Sequence, residues 1–205
     1  MVDRSHGSQN EIREVKANEL NDARRLSLAP MMEYTDRHFR HLVRLISSRT
    51  LLYTEMVGAS TLHYERIQQK EAYSLENPLA TEDEMCTSYN DHHLRRHVSQ
   101  GDVAPLEGAS VLQLGGSDPE VLCQAAQTVM QMTERSWCNY TAINLNCGCP
   151  SPKVAGKGCF GAALMDEPSL VRDLTTAIHD GCDGMSDRMN PSLSRYQDSV
   201  KLTTV

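Results

Sequence analysis

The feature that most constrains this chain is an alternation, met four times, of a short apolar run with a stretch whose apolar residues recur every three to four positions. A brief apolar run suits a buried strand, and the longer spacing suits a helix with one buried face, so each pair reads as a βα unit. A helix between two strands returns the chain to the same end of the sheet, so the strands are parallel. The first strand is expected at 26–32, with a helix from Thr35, an N-cap candidate, that turns Phe39, Leu42, Val43 and Ile46 inward. The second strand is expected at 51–57 and the third at 110–114, closed by Gly115 and Gly116. Ser117 then caps a helix, Glu120 completes a capping box, and Pro119 sits in the first turn where no amide hydrogen is needed. Val121, Leu122, Ala125, Ala126, Val129 and Met130 form its buried stripe. The fourth strand is expected at 141–146, and after a glycine-rich loop Pro168 opens a helix with Leu170, Val171, Leu174 and Ile178 inward.

Between and beyond these units the pattern fails. The segment 65–108 reads as a polar, irregular insertion, longer than ordinary connections. Its His92-His93-Leu94-Arg95-Arg96-His97 cluster suits phosphate or metal contact, or a solvated, partly helical basic face. Residues 1–25 mix acids and bases without an apolar core, which fits neither a secretory signal nor an acid-poor transit peptide, and read as a disordered extension. Residues 181–205, rich in Gly, Ser, Asp and Arg, read as a divergent or disordered tail, and no fifth to eighth strand is expected.

The chain has 205 residues, enough for one core, and no apolar run long enough to span a bilayer, so a cytoplasmic protein without a membrane role is expected. Seven cysteines without an export signal point to free thiols, and their spacing gives no standard zinc half-site, so no metal is expected. A net charge of -7 opposes general nucleic-acid binding, which depends on Lys and Arg neutralising phosphates. Any RNA-binding surface must then lie elsewhere.

Chemistry concentrates at Asn144-Leu145-Asn146-Cys147-Gly148-Cys149-Pro150. The run alternates and then breaks at Gly and Pro, so its polar residues gather at the carboxyl end of a buried strand, where parallel α/β folds place their sites. A cysteine there can be a nucleophile, a redox thiol, a general acid or a small core residue. There is no obvious neighbouring base, and a thiol with an ordinary pKa of about 8.5 is mostly protonated at neutral pH, which suits proton donation.

Five blocks resemble, in order, the signatures of the tRNA-dihydrouridine synthase family, most of all its bacterial DusA type. They run from Ala29 to Arg40, Leu52 to Met56, Leu112 to Pro119, Ile143 to Pro150, and Gly158 to Met165. The resemblance spans about residues 26–180 and implies the amino-terminal part of a TIM-barrel (β/α)8 fold, here about four βα units. It implies FMN, reduced by NADPH, and saturation of the C5=C6 bond of a uridine in tRNA, with hydride delivered to C6. By the same resemblance Cys149 gives the proton to C5, and the backbone of Pro30 and Met31 lines the flavin ring. Gln113 bonds the flavin pyrimidine and Asn146 reads the uracil. Pro30 and Met31 also suit simple packing, Gln113 otherwise needs another partner, and Glu55 suits either the same cavity or a strand-end charge.

Some positions depart from the family pattern. Glu33 stands where Asp is common, Ala163 where a second cysteine is common, and Cys147 is an extra thiol. The family's later Lys, Arg and His, its phosphate-binding glycines and its helical tRNA-gripping domain have no counterparts, which implies a chain truncated or frameshifted near Asp180 that alone binds FMN poorly. Such a half-barrel would leave two sheet edges and an apolar interior open to self-association. Two rival readings follow: a non-enzymatic half-barrel acting in binding or assembly, and a dihydroorotate-dehydrogenase-like flavoprotein. The second normally has Asn after Cys-Pro, where Ser151 stands here.

Overall fold

The computed structural model describes residues 23–79, 81, 92–101, 107–134 and 138–189. Four strands, β1 (Ser27–Leu28), β2 (Leu51–Gly58), β3 (Ser110–Gly115) and β4 (Ala142–Leu145), form one sheet. All neighbours are parallel and the spatial order is the chain order. The helices are α1 (Arg37–Ile46), α2 (Ala59–Glu76), α3 (His92–Val98), α4 (Pro119–Glu134) and α5 (Pro168–Met189). A π-helical turn at Pro152–Lys157 and a 3-10 turn at Gly161–Asp166 lie between β4 and α5.

Sequential parallel order decides the architecture. A doubly wound sheet reverses its order and carries helices on both faces, whereas a singly wound one keeps its helices on one side and turns the other inward. Here Leu112, Leu114, Ile143 and Leu145 share a core with Leu62 of α2, Leu122 and Met130 of α4, and Leu174 and Ile178 of α5. The alternate residues Leu51, Tyr53, Val111 and Ala142 form a separate cluster with Ala23 and Ala109. This is the α/β topology of half a TIM barrel, as the sequence implies. The inner face is not left bare, however, since those four residues are at most 4% exposed and Ala23 and Ala109 close its amino-terminal end.

Several local expectations are corrected. β1 stops at Leu28 because Pro30 has no amide hydrogen and the following backbone folds back on itself. The amide of Met31 donates to Thr35 Oγ1 (3.0 Å), and Tyr34 N and Thr35 N donate to the Met31 carbonyl. Thr35 is thus spent on this loop, and Asp36 caps α1 by accepting from Phe39 N at 2.8 Å. Likewise Asp118, not Ser117, caps α4, accepting from Glu120 N and Val121 N, while Ser117 donates to the Gly158 carbonyl.

The expected apolar face of α1 is largely exposed at Leu42 and Ile46, and the buried side chain is Arg40. Arg40 meets Glu107 at 2.7 Å and donates to the Thr35 carbonyl, while Arg44 donates to the carbonyls of Ser47, Glu107 and Ala109. Two arginines dock this helix where an apolar stripe was expected.

The polar segment from residue 65 is not irregular where it is described: Glu65–Glu76 completes α2, and α3 follows at His92–Val98. α2 buries only Ala59, Leu62 and Arg66, so it lacks a stripe that periodicity can detect. Past Ile178 helix α5 continues to Met189. It survives Gly181 because that glycine lets α5 touch α4; a Cβ there would collide with the Cys123 carbonyl and lie 2.9 Å from Ala126 Cβ. The extension expected at 1–25 falls outside the described residues except for 23–25. Residues 190–205 of the expected tail and 82–91 of the expected insertion also fall outside them. Among the described residues no helix is long and apolar enough to cross a membrane.

Candidate active site

Gln113, Asn144 and Asn146 share one side of the sheet because strand side chains alternate, and that side is the one turned from the helices. Burying three amides requires that their donors and acceptors match. Gln113 Nε2 donates to Asn144 Oδ1 at 2.7 Å, and Asn146 Nδ2 donates to Gln113 Oε1 at 3.0 Å. Asn146 Oδ1 accepts from both Gly148 N (3.1 Å) and Cys149 N (3.0 Å), so the loop after β4 folds around this side chain. The second Asn146 amide hydrogen has a weak acceptor, the Met56 thioether at 3.2 Å.

Met56 arrives there through a bulge in β2. Tyr53 pairs with Val111 and Met56 with Gln113, so three steps along β2 match two along β3. In a pairing without the bulge Glu55 would follow Tyr53 inward; with the bulge Met56 does, and Val57 returns to the helix-facing core. Thr54 repairs the gap in the ladder, its Oγ1 accepting from Gln113 N (3.0 Å) and donating to the Glu55 carbonyl (2.7 Å).

Met56, Gln113 and Asn146 border a cavity of about 620 Å³ beyond the carboxyl ends of the strands. Pro30, Met32 and Met56 supply apolar wall, Gln113 and Asn146 polar wall, and Cys147 to Ser151 with Lys153 and Val154 the remaining border. Cys149 is partly buried at this border, and its carbonyl accepts from Ala162 N at 2.9 Å. Gly161 makes that contact feasible. Its φ is +65°, and a Cβ would lie 2.7 Å from the Cys149 carbonyl oxygen and 2.6 Å from Val154 Cγ1.

The structure therefore brings Cys149, Asn146, Gln113 and Pro30 to one cavity, but not Met31 or Glu55. The Met31 amide is committed to Thr35, as above. Glu55 instead accepts from Glu33 N at 2.5 Å and borders an adjacent cleft of about 550 Å³ with Arg37, His38, Arg96 and His97. Glu33 has a φ of 68°, so the Glu55 carboxylate tethers a non-glycine residue in the left-handed region, with Glu33 itself on the Cys149 cavity. The extra thiol, Cys147, lies in the helix-facing core as well as at the cavity border, and burial pushes its pKa up. Sequence reasoning gave no individual role to Met56, Lys153 or Asn144. Asn144 alone had a visible signal, lying two residues before Asn146 and hence on its face of the strand.

A family model for dihydrouridine synthase (Dus) matches residues 27–186. A tRNA-dihydrouridine(20/20a) synthase of Xanthomonas campestris is 41% identical over 158 residues, covering 77% of this chain and 36% of that protein. Enzymes of the same name from Synechocystis sp. (37% over 154 residues, 75% and 35%) and Vibrio parahaemolyticus (36% over 159 residues, 78% and 37%) are similar to it too. The chain spans about a third of the length of these curated relatives.

Proposed function

The chain belongs to the dihydrouridine synthase family, and on that premise we propose that it takes part in the flavin-dependent reduction of uridine to 5,6-dihydrouridine in tRNA, with Cys149 as the acid. The observation that carries this reading is the meeting of a partly buried thiol with ordered amides and an apolar wall in one cavity.

The residues fit FMN. Gln113 keeps one N–H and one carbonyl lone pair after its bonds to Asn144 and Asn146, the set needed by an edge that alternates C=O and N–H. Pro30, Met32 and Met56 suit the apolar faces of a ring, with Met31 holding the strand-end loop in shape behind them. When bound and reduced by NADPH, FMN supplies the hydride. Addition at C6 of a uracil leaves enolate-like charge across C5 and the neighbouring carbonyl, and the Cys149 S–H gives its proton to C5. The thiolate then regains a proton from water.

Asn146 contributes twice. Its oxygen holds the Cys149 backbone, and its hydrogen on the Met56 sulfur bonds a weak acceptor that a uracil carbonyl outcompetes. Glu55 acts indirectly, shaping the 30–35 loop through Glu33 rather than touching the ring. The protein works in the cytoplasm, where tRNA and NADPH are available. The four strands among the described residues supply one wall of a barrel site.

The test is a chimera in which residues 27–186 replace the matched segment of the Xanthomonas campestris relative. We expect dihydrouridine in unmodified tRNA, and a loss of about 10²–10⁴-fold for Cys149→Ala with FMN retained, the range for a lost general acid. A Cys149→Ala chimera as active as its parent would overturn the assignment.

One observation favours a second reading, an assembly role. Leu26, just before β1, and Leu42, Leu45 and Ile46 on α1 are each more than half exposed. A concentration-dependent homodimer, abolished by Leu45→Lys, would support self-association; a monomer at all concentrations would exclude it.

A further inference from the structure

We propose that Asn144, which lies outside the cavity lining, is a positioning residue for Cys149, acting through the polarity of the amide chain that joins them. An amide side chain has two unlike ends, so a row of them is consistent only when every nitrogen faces an oxygen. The Gly148 and Cys149 amides can only donate, which requires the Asn146 oxygen to face the loop. Its nitrogen then faces Gln113, which must present Oε1, and that in turn requires an acceptor on the far side of Gln113. Asn144 Oδ1 is that acceptor, at 2.7 Å, the shortest bond of the row. Asn144 is 1% exposed and its register partner on β3 is Gln113, so the oxygen sits on rigid strand on both sides.

Remove that oxygen and the buried Gln113 Nε2 loses its acceptor, so Gln113 is held from the Asn146 side alone. Gln113 then moves to find another acceptor, and the support it gives to the Asn146 nitrogen weakens. Asn144 therefore steadies, through Gln113, the Asn146 amide that holds the Cys149 loop. That this geometry serves proton transfer rests on the function proposed above; the geometry itself does not.

The test is backbone amide exchange by NMR on the 205-residue chain without FMN or tRNA, with the iodoacetamide alkylation rate of Cys149 as a second readout. Asn144→Leu removes the oxygen at similar volume, and Asn144→Asp keeps an acceptor in place. We expect Gly148 and Cys149 amides to exchange at least about 10-fold faster in Asn144→Leu, the effect of losing about 1.4 kcal/mol of protection, and Cys149 alkylation to change with them. Asn144→Asp, compared at mildly acidic pH where its buried carboxyl is protonated, should raise the exchange of these amides less than Asn144→Leu does. Amides in the middle of β3 should not move in either variant. Should Asn144→Leu not fold, Asn144→Ala removes the same oxygen and is read in the same way. Unchanged exchange at the two amides, an equal rise throughout the sheet, or an Asp variant as fast as Leu would each overturn the proposal. Because no cofactor enters, these results stand apart from an inactive chimera, which would count against the enzymatic function alone.

Discussion

Replacing Glu107 by leucine strands the Arg40 guanidinium in the interior. Arg40 and Glu107 are 4% and 1% exposed and meet through two contacts, Nε to Oε1 at 2.7 Å and Nη2 to Oε2 at 3.4 Å. Removing one partner of such a pair costs about 3–5 kcal/mol, because the survivor keeps a charge it cannot hydrate. At about 2–4 °C per kcal/mol for a chain of this size, Glu107→Leu should lower Tm by about 6–20 °C. Arg40→Met should cost at least as much, since it also deprives the fully buried Thr35 of the donor to its carbonyl, at 2.7 Å. The double variant discards both charges and should regain most of the loss, leaving about 1–3 kcal/mol for that unpaired carbonyl. Urea denaturation followed by circular dichroism measures all four corners of this cycle. If the double variant is as unstable as the two single losses added together, the pair is not coupled and α1 is docked by something else. The outcome reaches the site because Arg40 steadies Thr35, and Thr35 folds the loop that puts Pro30, Met32 and Glu33 on the cavity.

Gly161→Ala should cost about 2–4 kcal/mol, combining a left-handed φ with overlap on Cys149 and Val154; the loss should appear as faster exchange of the Ala162 amide, and an unchanged rate would show that Gly161 is not needed for the loop. Cys138, whose pKa burial pushes up to about 11, should resist iodoacetamide at pH 8 until the chain unfolds, while exposed Cys159 reacts at once; peptide mapping of the alkylated protein distinguishes them. For Glu65, burial raises the pKa, but hydrogen bonds from His97 and Arg96 outweigh it and leave the carboxyl below its ordinary value. The unfolded chain therefore binds the proton more tightly, so this contribution is present above the ordinary glutamate range and lost as pH falls through the depressed value. Glu65→Gln should flatten that acid limb in a pH series of melting temperatures, and an unchanged limb would remove Glu65 as its source.

The sheet and its functional face were legible because strand alternation is a strong code. Leu112 and Leu114 against Gln113, and Leu145 against Asn144 and Asn146, sort themselves onto opposite faces before any coordinates are known. Helices α4 and α5 were legible through their stripes, Leu122 to Met130 and Leu174 to Ile178. What failed were elements held by something other than apolar periodicity. α1 is anchored by two arginines that reach Glu107 and Ala109, more than sixty residues away, and no local pattern announces such bonds. α2 carries good helix formers such as Gln68, Gln69, Lys70, Glu71 and Ala72 but no stripe, so it read as irregular polar chain. In the site, alternation was extended through Tyr53 to Glu55, whereas the bulge turns Met56 inward. A bulge depends on pairing with a neighbouring strand, which a single sequence does not display.

That inserted residue makes the chemistry of the cavity wall a matter of counting. With the bulge, β2 offers the site a polarizable, uncharged sulfur and keeps its carboxylate for tethering Glu33. Paired without the bulge and with every residue retained, β2 would keep the two-residue rhythm and turn Glu55 rather than Met56 toward the site. An anion would then confront Gln113 and Asn146 where a soft, neutral surface now meets them. One residue of register in a strand thus separates a wall that can accept an electron-rich ring from one that would repel it.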